Sequence, residues 1–183
     1  NAIKQPNSNI HGVLKLDPKQ FNRFVYEDGT PYYLFGYEMN WLWAIDQTSE
    51  DTNSLERLMD IVSQGKFNHF LINSYAYDTT WATGKAIDED YGPPPLMPWE
   101  GMHGSHNYAL LNIDYWNHFD RMMKVLMDRG MVAHIYFKVY NKLVQWPEKN
   151  SIEEQLWFDY IVARYQGFPN VVWDFAKESY YEF

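Results

Sequence analysis

The chain contains no cysteine. That excludes a disulfide framework, thiolate-bound zinc, iron–sulfur clusters and thiol catalysis, and it leaves the redox compartment open. Basic residues are scarce: 15 Lys and Arg stand against 24 Asp and Glu, for a net charge of −9. No window gathers them into a patch, so a nucleic-acid partner is not expected, because phosphate contacts need a basic surface. The balance suits a neutral or cationic ligand. No apolar run approaches the roughly 20 residues of a membrane span. A Gly-rich phosphate loop, a Ser nucleophile elbow and a basic–aromatic array are missing as well. The opening residues, Asn1 to Asn9, show neither an initiator Met nor an apolar signal core, as expected of a processed product or a fragment. Residues 1–11 are polar and read as a linker or the tail of an upstream domain.

What the chain has in plenty is rings: 15 Tyr, 11 Phe and 8 Trp among 183 residues. That supply of large apolar groups suffices to order one domain. Phe21–Tyr26 and Pro31–Phe35 flank Glu27-Asp28-Gly29-Thr30, and Asp-Gly between apolar runs predicts a hairpin. Beyond it helices and strands alternate. Leu55, Leu58, Met59, Ile61 and Val62 recur at helical spacing, after the cap candidates Thr48, Ser49, Asp51 and Thr52 and before Gly65. Phe67–Asn73 follows as a strand. A second helix from about Asp114 turns Trp116, Phe119, Met122, Met123, Leu126 and Met127 inward, closes at Arg129-Gly130, and precedes the strand Met131–Phe137. A third opens on Ser151-Ile-Glu-Glu154, a capping box. It buries Leu156, Trp157, Tyr160 and Ile161, ends near Gly167, and leads into the strand Asn170–Phe175.

This punctuation predicts an α/β fold with parallel strands joined by crossovers, Pro31–Phe35 being the first strand. One connection is out of scale. About forty residues, 74–113, separate the second strand from its helix, and a loop that long in a compact domain is usually functional. It carries Trp81, Pro93-Pro94-Pro95, Trp99, His103 and His106, and it lies after the carboxyl end of a strand, where α/β folds build their sites.

The most informative stretch runs from Asn170 to Glu178. A buried strand ends there in Lys177-Glu178, where a barrel places catalytic groups. Glu178 is either a general acid tuned by its apolar neighbours or a partner of Lys177 and a local cap. Several segments together resemble the amino-terminal half of clan A glycoside hydrolases, specifically the apiosidase-like barrels of polysaccharide-degrading bacteria. They are Arg23-Phe-Val-Tyr-Glu-Asp-Gly-Thr-Pro31 with Tyr32-Tyr-Leu-Phe-Gly36, Gly65-Lys-Phe-Asn68 with Leu71-Ile-Asn-Ser-Tyr-Ala-Tyr-Asp78, Arg129-Gly130-Met131, and Asn170-Val-Val-Trp173 through Glu178. The resemblance implies a TIM-barrel type of which residues 12–183 hold only the first four βα units, a half barrel preceded by a β-hairpin. It also implies Glu178 as acid/base, with Lys177 where the family has an Asn that binds a sugar hydroxyl. A full barrel needs eight strands and about 250 residues. The nucleophile, which clan A takes from the seventh strand, is therefore expected from a companion segment, with a homodimer mate as the other way to close the ring.

Around Glu178 the candidate substrate-binding residues are Glu38, Asn40, Trp41 and Trp43 after the first strand, Asn73 and Tyr75 at the second, and His106 in the long loop. Lys138, with Tyr140 and Asn141, stands at the third strand, and Lys177 at the fourth. One of Trp41 and Trp43 reads as a stacking platform for a sugar ring, the other as a wedge behind the first helix. His103 and His106 lack a third ligand at a familiar spacing, so no metal is expected, and no cofactor. Asp88-Glu89-Asp90 reads as a solvated acidic turn rather than a calcium loop. His69 and His134 read as satisfied core histidines, and Met122, Met123 and Met127 as core packing. The expected function is part of a secreted or periplasmic glycoside hydrolase with a carbohydrate substrate. The rival is a carbohydrate-binding protein that lost the chemistry; a third reading is a dimerising structural half barrel.

Overall fold

A computed structural model describes residues 9–77 and 94–182. Three short strands, β1 (Leu14–Leu16), β2 (Phe24–Tyr26) and β3 (Pro31–Tyr32), pair antiparallel in sequence order. The register sets Phe24 opposite Tyr32 and Val25 opposite Pro31, with Gly29 at φ 89 in the turn between them. The first parallel strand is not Pro31–Phe35 but β4 (Gly36–Glu38). Between β3 and β4 the chain turns outward at Tyr33, Leu34 and Phe35, all exposed. Asn68 holds that connector, its Oδ1 accepting from the Phe35 amide at 2.9 Å and its Nδ2 donating to the Tyr33 carbonyl at 2.8 Å.

Four strands, β4, β5 (His69–Asn73), β8 (Val132–Val139) and β9 (Val171–Lys177), form an all-parallel sheet in that spatial order. The central pair, β5 and β8, is buried along most of its length, as strands covered on both faces must be. The edge strands β4 and β9 are half open, with Tyr37 and Phe175 exposed. The register places Asn73, Tyr136 and Asp174 side by side, and one step lower Leu71, His134 and Val172. These residues share one face. Phe70, Ile72, Ala133 and Ile135 point the other way, into the hydrophobic core.

Helices α1 (Asn53–Gln64), α2 (Ile113–Asp128) and α3 (Ile152–Tyr165) cover that core. Each begins on a side-chain acceptor, but not always the expected one. At α1 Thr52 makes no capping bond; Asp46, at φ 58, accepts the Leu55 amide at 2.9 Å instead. At α2 Asn112 accepts from Asp114 and Tyr115. At α3 Ser151 accepts the Glu154 amide at 3.1 Å, yet the Glu154 carboxylate takes the Asn150 amide rather than that of Ser151. The capping box is thus half formed, because Glu154 is also drawn to Lys138. Gly130 closes α2 at φ 69, and a Cβ there would lie 2.6 Å from the Asn9 carbonyl, so the tail packs where no other residue fits. After α1 it is Lys66, not Gly65, that takes the left-handed conformation, at φ 65.

The helix faces follow their periodicity with local departures. Leu55, Met59 and Val62 are buried while Ile61 is exposed; Met122 and Met123 are fully buried, Met127 half-buried. On α3 Trp157, Ile161 and Tyr165 go inward and Leu156 stays at the surface. The long connection holds two strands that its sequence did not announce, β6 (Trp99–Glu100) and β7 (Asn107–Leu111), paired antiparallel. Trp99, 1% exposed, packs on Tyr75, Trp146 and Trp157, so this hairpin extends the core over the carboxyl ends of β5 and β8. Trp81 and Asp88-Glu89-Asp90 lie outside the described residues.

Candidate active site

The carboxyl ends of the two edge strands meet. Lys177, the last residue of β9, donates through Nζ to Glu38 Oε1 at the end of β4 and to Asn40 Oδ1 at 3.3 Å. Burial pushes the Lys177 ammonium below its ordinary pKa, an effect the neighbouring Glu178 partly offsets. Three residues singled out from two stretches of sequence therefore form one cluster. Two protein acceptors, Glu38 and Asn40, thus meet an ammonium that has three donors.

Glu178 follows directly, half-buried, at φ 62. A non-glycine residue in the left-handed region is uncommon, and here it ends β9 and turns the chain into the short 3₁₀ helix Ser179–Glu182. The Glu178 carboxylate accepts from the Tyr180 hydroxyl. Glu178 is thus held by a bond within its own turn, while Lys177 is held by the opposite edge of the sheet.

Behind this pair stands an aromatic wall. Trp43, in the 3₁₀ turn Leu42–Ala44, is fully buried between Tyr75 and Tyr115 and donates to the Asn40 carbonyl at 3.2 Å. Its faces are taken by protein. Trp41 is 8% exposed, and the Lys142 ammonium lies 5.0 Å from its ring centre. Asn73, ending β5, is fully buried, and neither side-chain amide atom has a hydrogen-bond partner among the described residues. The same holds for the Tyr75 hydroxyl, whose pKa burial pushes far up. Unpaired polar atoms at such depth are costly.

His106 presents both ring nitrogens to the interior without a partner among the described residues. Burial first, and His103 beside it second, hold its pKa below the ordinary value. His103 stacks flat on Tyr77, ring centres 3.6 Å apart. Lys138 is the next-to-last residue of the third parallel strand. β8 runs two residues past Phe137, which puts Lys138 inside the strand, 3% exposed, ion-paired to Glu154 of α3 and 5.6 Å from the Phe158 ring centre. Its ammonium meets the first turn of α3. Tyr140 is half-buried and Asn141 exposed beyond it.

Sequence reasoning missed a second set of polar groups, on the inner face of the sheet. Tyr32, His69, His134 and Asp174 are linked by consecutive hydrogen bonds, and Tyr136 stacks on His134. The available signal was polar residues at every second position, His134 and Tyr136, in the otherwise apolar strand Met131–Phe137. Among the described residues no group of three or more His, Asp or Glu side chains could hold a metal ion. No helix among them is long and apolar enough to cross a membrane.

Solved structures share this architecture. A Bacteroides vulgatus protein described as a glycoside hydrolase superposes with a TM-score of 0.68 at 22% identity, over 95% of this chain and 34% of its own. A family 5 glycoside hydrolase of the same organism gives 0.57 at 16%, covering 96% and 34%. A family 5 mannosidase of Rhizomucor miehei gives 0.62 at 13%, covering 92% and 49%. At these identities the likeness is one of fold, a parallel α/β sheet like that of TIM-barrel glycoside hydrolases, and the chain spans a third to a half of their length. No curated protein matches it in sequence. A family model does, over residues 19–182: the chain belongs to the apiosidase-like catalytic domain family.

Proposed function

We propose that residues 12–183 are the amino-terminal half of a (β/α)8 glycoside hydrolase domain that acts on a polysaccharide or oligosaccharide, with Glu178 as general acid/base. The observation that carries this reading is the position of Glu178. It stands at the carboxyl end of the fourth parallel strand, at a left-handed turn, beside a cluster drawn from the opposite edge of the same sheet. Barrel enzymes assemble their chemistry at that end of the strands. As acid, Glu178 protonates the leaving-group oxygen; as base, it then deprotonates the attacking water. A retaining mechanism needs a second carboxylate about 5–5.5 Å away. That nucleophile comes from a companion segment, which also covers the open edges of β4 and β9; a homodimer mate is the other way to close the ring. Asn73 and one face of Trp41 line the sugar path, with Tyr75 packed behind them, and the protein is secreted or periplasmic.

Lys177 is the observation that favours a second reading. It stands where the family pattern has a hydroxyl-binding Asn, and it is bound to Glu38 and Asn40. A carbohydrate-binding protein that lost the chemistry would tolerate that exchange. Glu178→Gln in the protein carrying both halves separates the two. On glycosides with poor leaving groups turnover should drop by roughly 10²–10⁴-fold, while an activated aryl glycoside keeps its first step and azide restores the second. Equal losses on both substrates, or sugar binding without turnover in the unmodified protein, would put the binding reading ahead.

A further inference from the structure

The chain of bonds on the inner face of the parallel sheet has a direction. Tyr32 Oη lies 2.8 Å from His69 Nδ1, His69 Nε2 2.9 Å from His134 Nδ1, and His134 Nε2 3.2 Å from Asp174 Oδ2. The four residues come from β3, β5, β8 and β9, so the chain joins the antiparallel sheet to three strands of the parallel one. Tyr32 and His69 are buried; His134 and Asp174 are half-buried. A carboxylate only accepts, so His134 carries its proton on Nε2. Its Nδ1 must then accept, which puts the His69 proton on Nε2 as well. His69 Nδ1 accepts in turn, and the Tyr32 hydroxyl donates to it. Two neutral histidines in one tautomer satisfy every contact.

We propose that this chain is a proton-sensitive latch, which holds the amino-terminal sheet against β5 and lets it go when one proton is taken up. On uptake the His69 Nε2 proton passes to His134 Nδ1, and the incoming proton ends on His69 Nδ1. His134 is then an imidazolium facing Asp174, and His69 donates to the Tyr32 oxygen. One proton has been gained and two bonds have reversed. The Tyr32 hydroxyl hydrogen loses its acceptor in a buried place where, among the described residues, it has no other.

The surroundings favour a single uptake. Burial, and then His134 alongside, hold His69 down at about 4. Tyr26 meets Tyr32 edge-on with ring centres 5.3 Å apart, and His11 and Asp28, themselves 2.8 Å apart, lie beyond it. On β8, Tyr136 stacks over His134, its hydroxyl pushed up by burial and by Asp174. Among the described residues Asp174 is the one acidic side chain bonded to either histidine.

The test is histidine tautomer mapping by long-range ¹⁵N–¹H correlation, with amide exchange read as protection factors at about pH 7.5 and about pH 4.5, on either side of the ordinary histidine pKa. At the higher pH both rings should be Nε2–H. At the lower, His69 should be Nδ1–H, and protection in the β1–β3 ladder should fall about tenfold or more while that of β5–β8 holds. An Nδ1–H tautomer on either histidine at the higher pH overturns the proposal, as does equal change in both ladders. Tyr32→Phe removes only the hydroxyl. In it the β1–β3 ladder should already show the acidic level of protection at the higher pH, and a pH step as large as in the unmodified chain would likewise overturn the latch.

Discussion

Glu154→Gln should destabilise the chain far more than its half-exposed helix terminus suggests. Lys138 has 4% of its side chain exposed and Glu154 15%, and each is the other's ion-pair partner. Burial alone would raise the Glu154 pKa, but the Lys138 bond and the Asn150 amide, 2.7 Å away, outweigh it and hold the carboxyl below its ordinary value. Replacing Glu154 by Gln leaves a buried ammonium without its counter-charge, a loss of about 3–5 kcal/mol. Lys138→Met is expected to cost less, about 1–2 kcal/mol, because the carboxylate it strands keeps the Asn150 amide and the favourable end of the α3 dipole. The double variant should lose less than Glu154→Gln alone, since it leaves no unpaired charge. At this chain length 3–5 kcal/mol amounts to a drop of roughly 10 °C in Tm. Urea titrations of the four proteins, compared at constant m, give the three differences and the coupling. The reasoning fails if Glu154→Gln costs less than about 1 kcal/mol, or if Lys138→Met is the more damaging change. Either result would return Lys138 to the mouth as a free substrate-facing cation.

Stability should also fall in acid in a way traceable to His69. Its folded pKa is about 4 against about 6.5 unfolded, so below pH 6.5 the unfolded chain binds a proton that the native chain refuses. The contribution is complete above that window and is lost as pH falls through it, up to about 3 kcal/mol, and the pH series of unfolding free energies should flatten by that amount in His69→Gln. Trp43→Ala should cost about 3–5 kcal/mol in the same titration, as removal of a fully buried ring does; loss of sugar binding at unchanged stability would instead make Trp43 a platform.

Much of the scaffold could be read from spacing, because each helix repeats its apolar face and closes at a short, strongly apolar strand. What the sequence could not show depends on partners far along the chain. Pro31–Phe35 has the composition of one strand, but Asn68, more than thirty residues away, pins Tyr33 and Phe35 as a connector and moves the first parallel strand to Gly36. Trp99 and Tyr108 became a hairpin only because Trp157 and the Gln145 carbonyl lie beneath them. Lys138 read as a mouth residue from its place near a strand end, and its ion pair with Glu154 on the next helix was not visible. The mouth itself was more legible. Glu38, Asn40 and Lys177 were each chosen by position at a strand end and came together, although that Lys177 would bind the other two was not visible. His69 and His134 were correctly read as satisfied, but not as links in one chain, since that requires the register of three strands at once.

The bond between Lys177 and Glu38 joins residues 139 apart in sequence. The β2–β3 turn and the three helices need only local contacts, whereas this bond waits until every crossover has laid down its strand. Contacts of such long range raise the contact order and slow the search, since the entropy of closing the intervening loops is lost before they form. By that argument the mouth is expected to acquire its geometry late, so that Lys177→Ala speeds unfolding and leaves the folding rate unchanged. Interactions made there, after the folding barrier has been crossed, set how long the folded chain lasts rather than how quickly it forms.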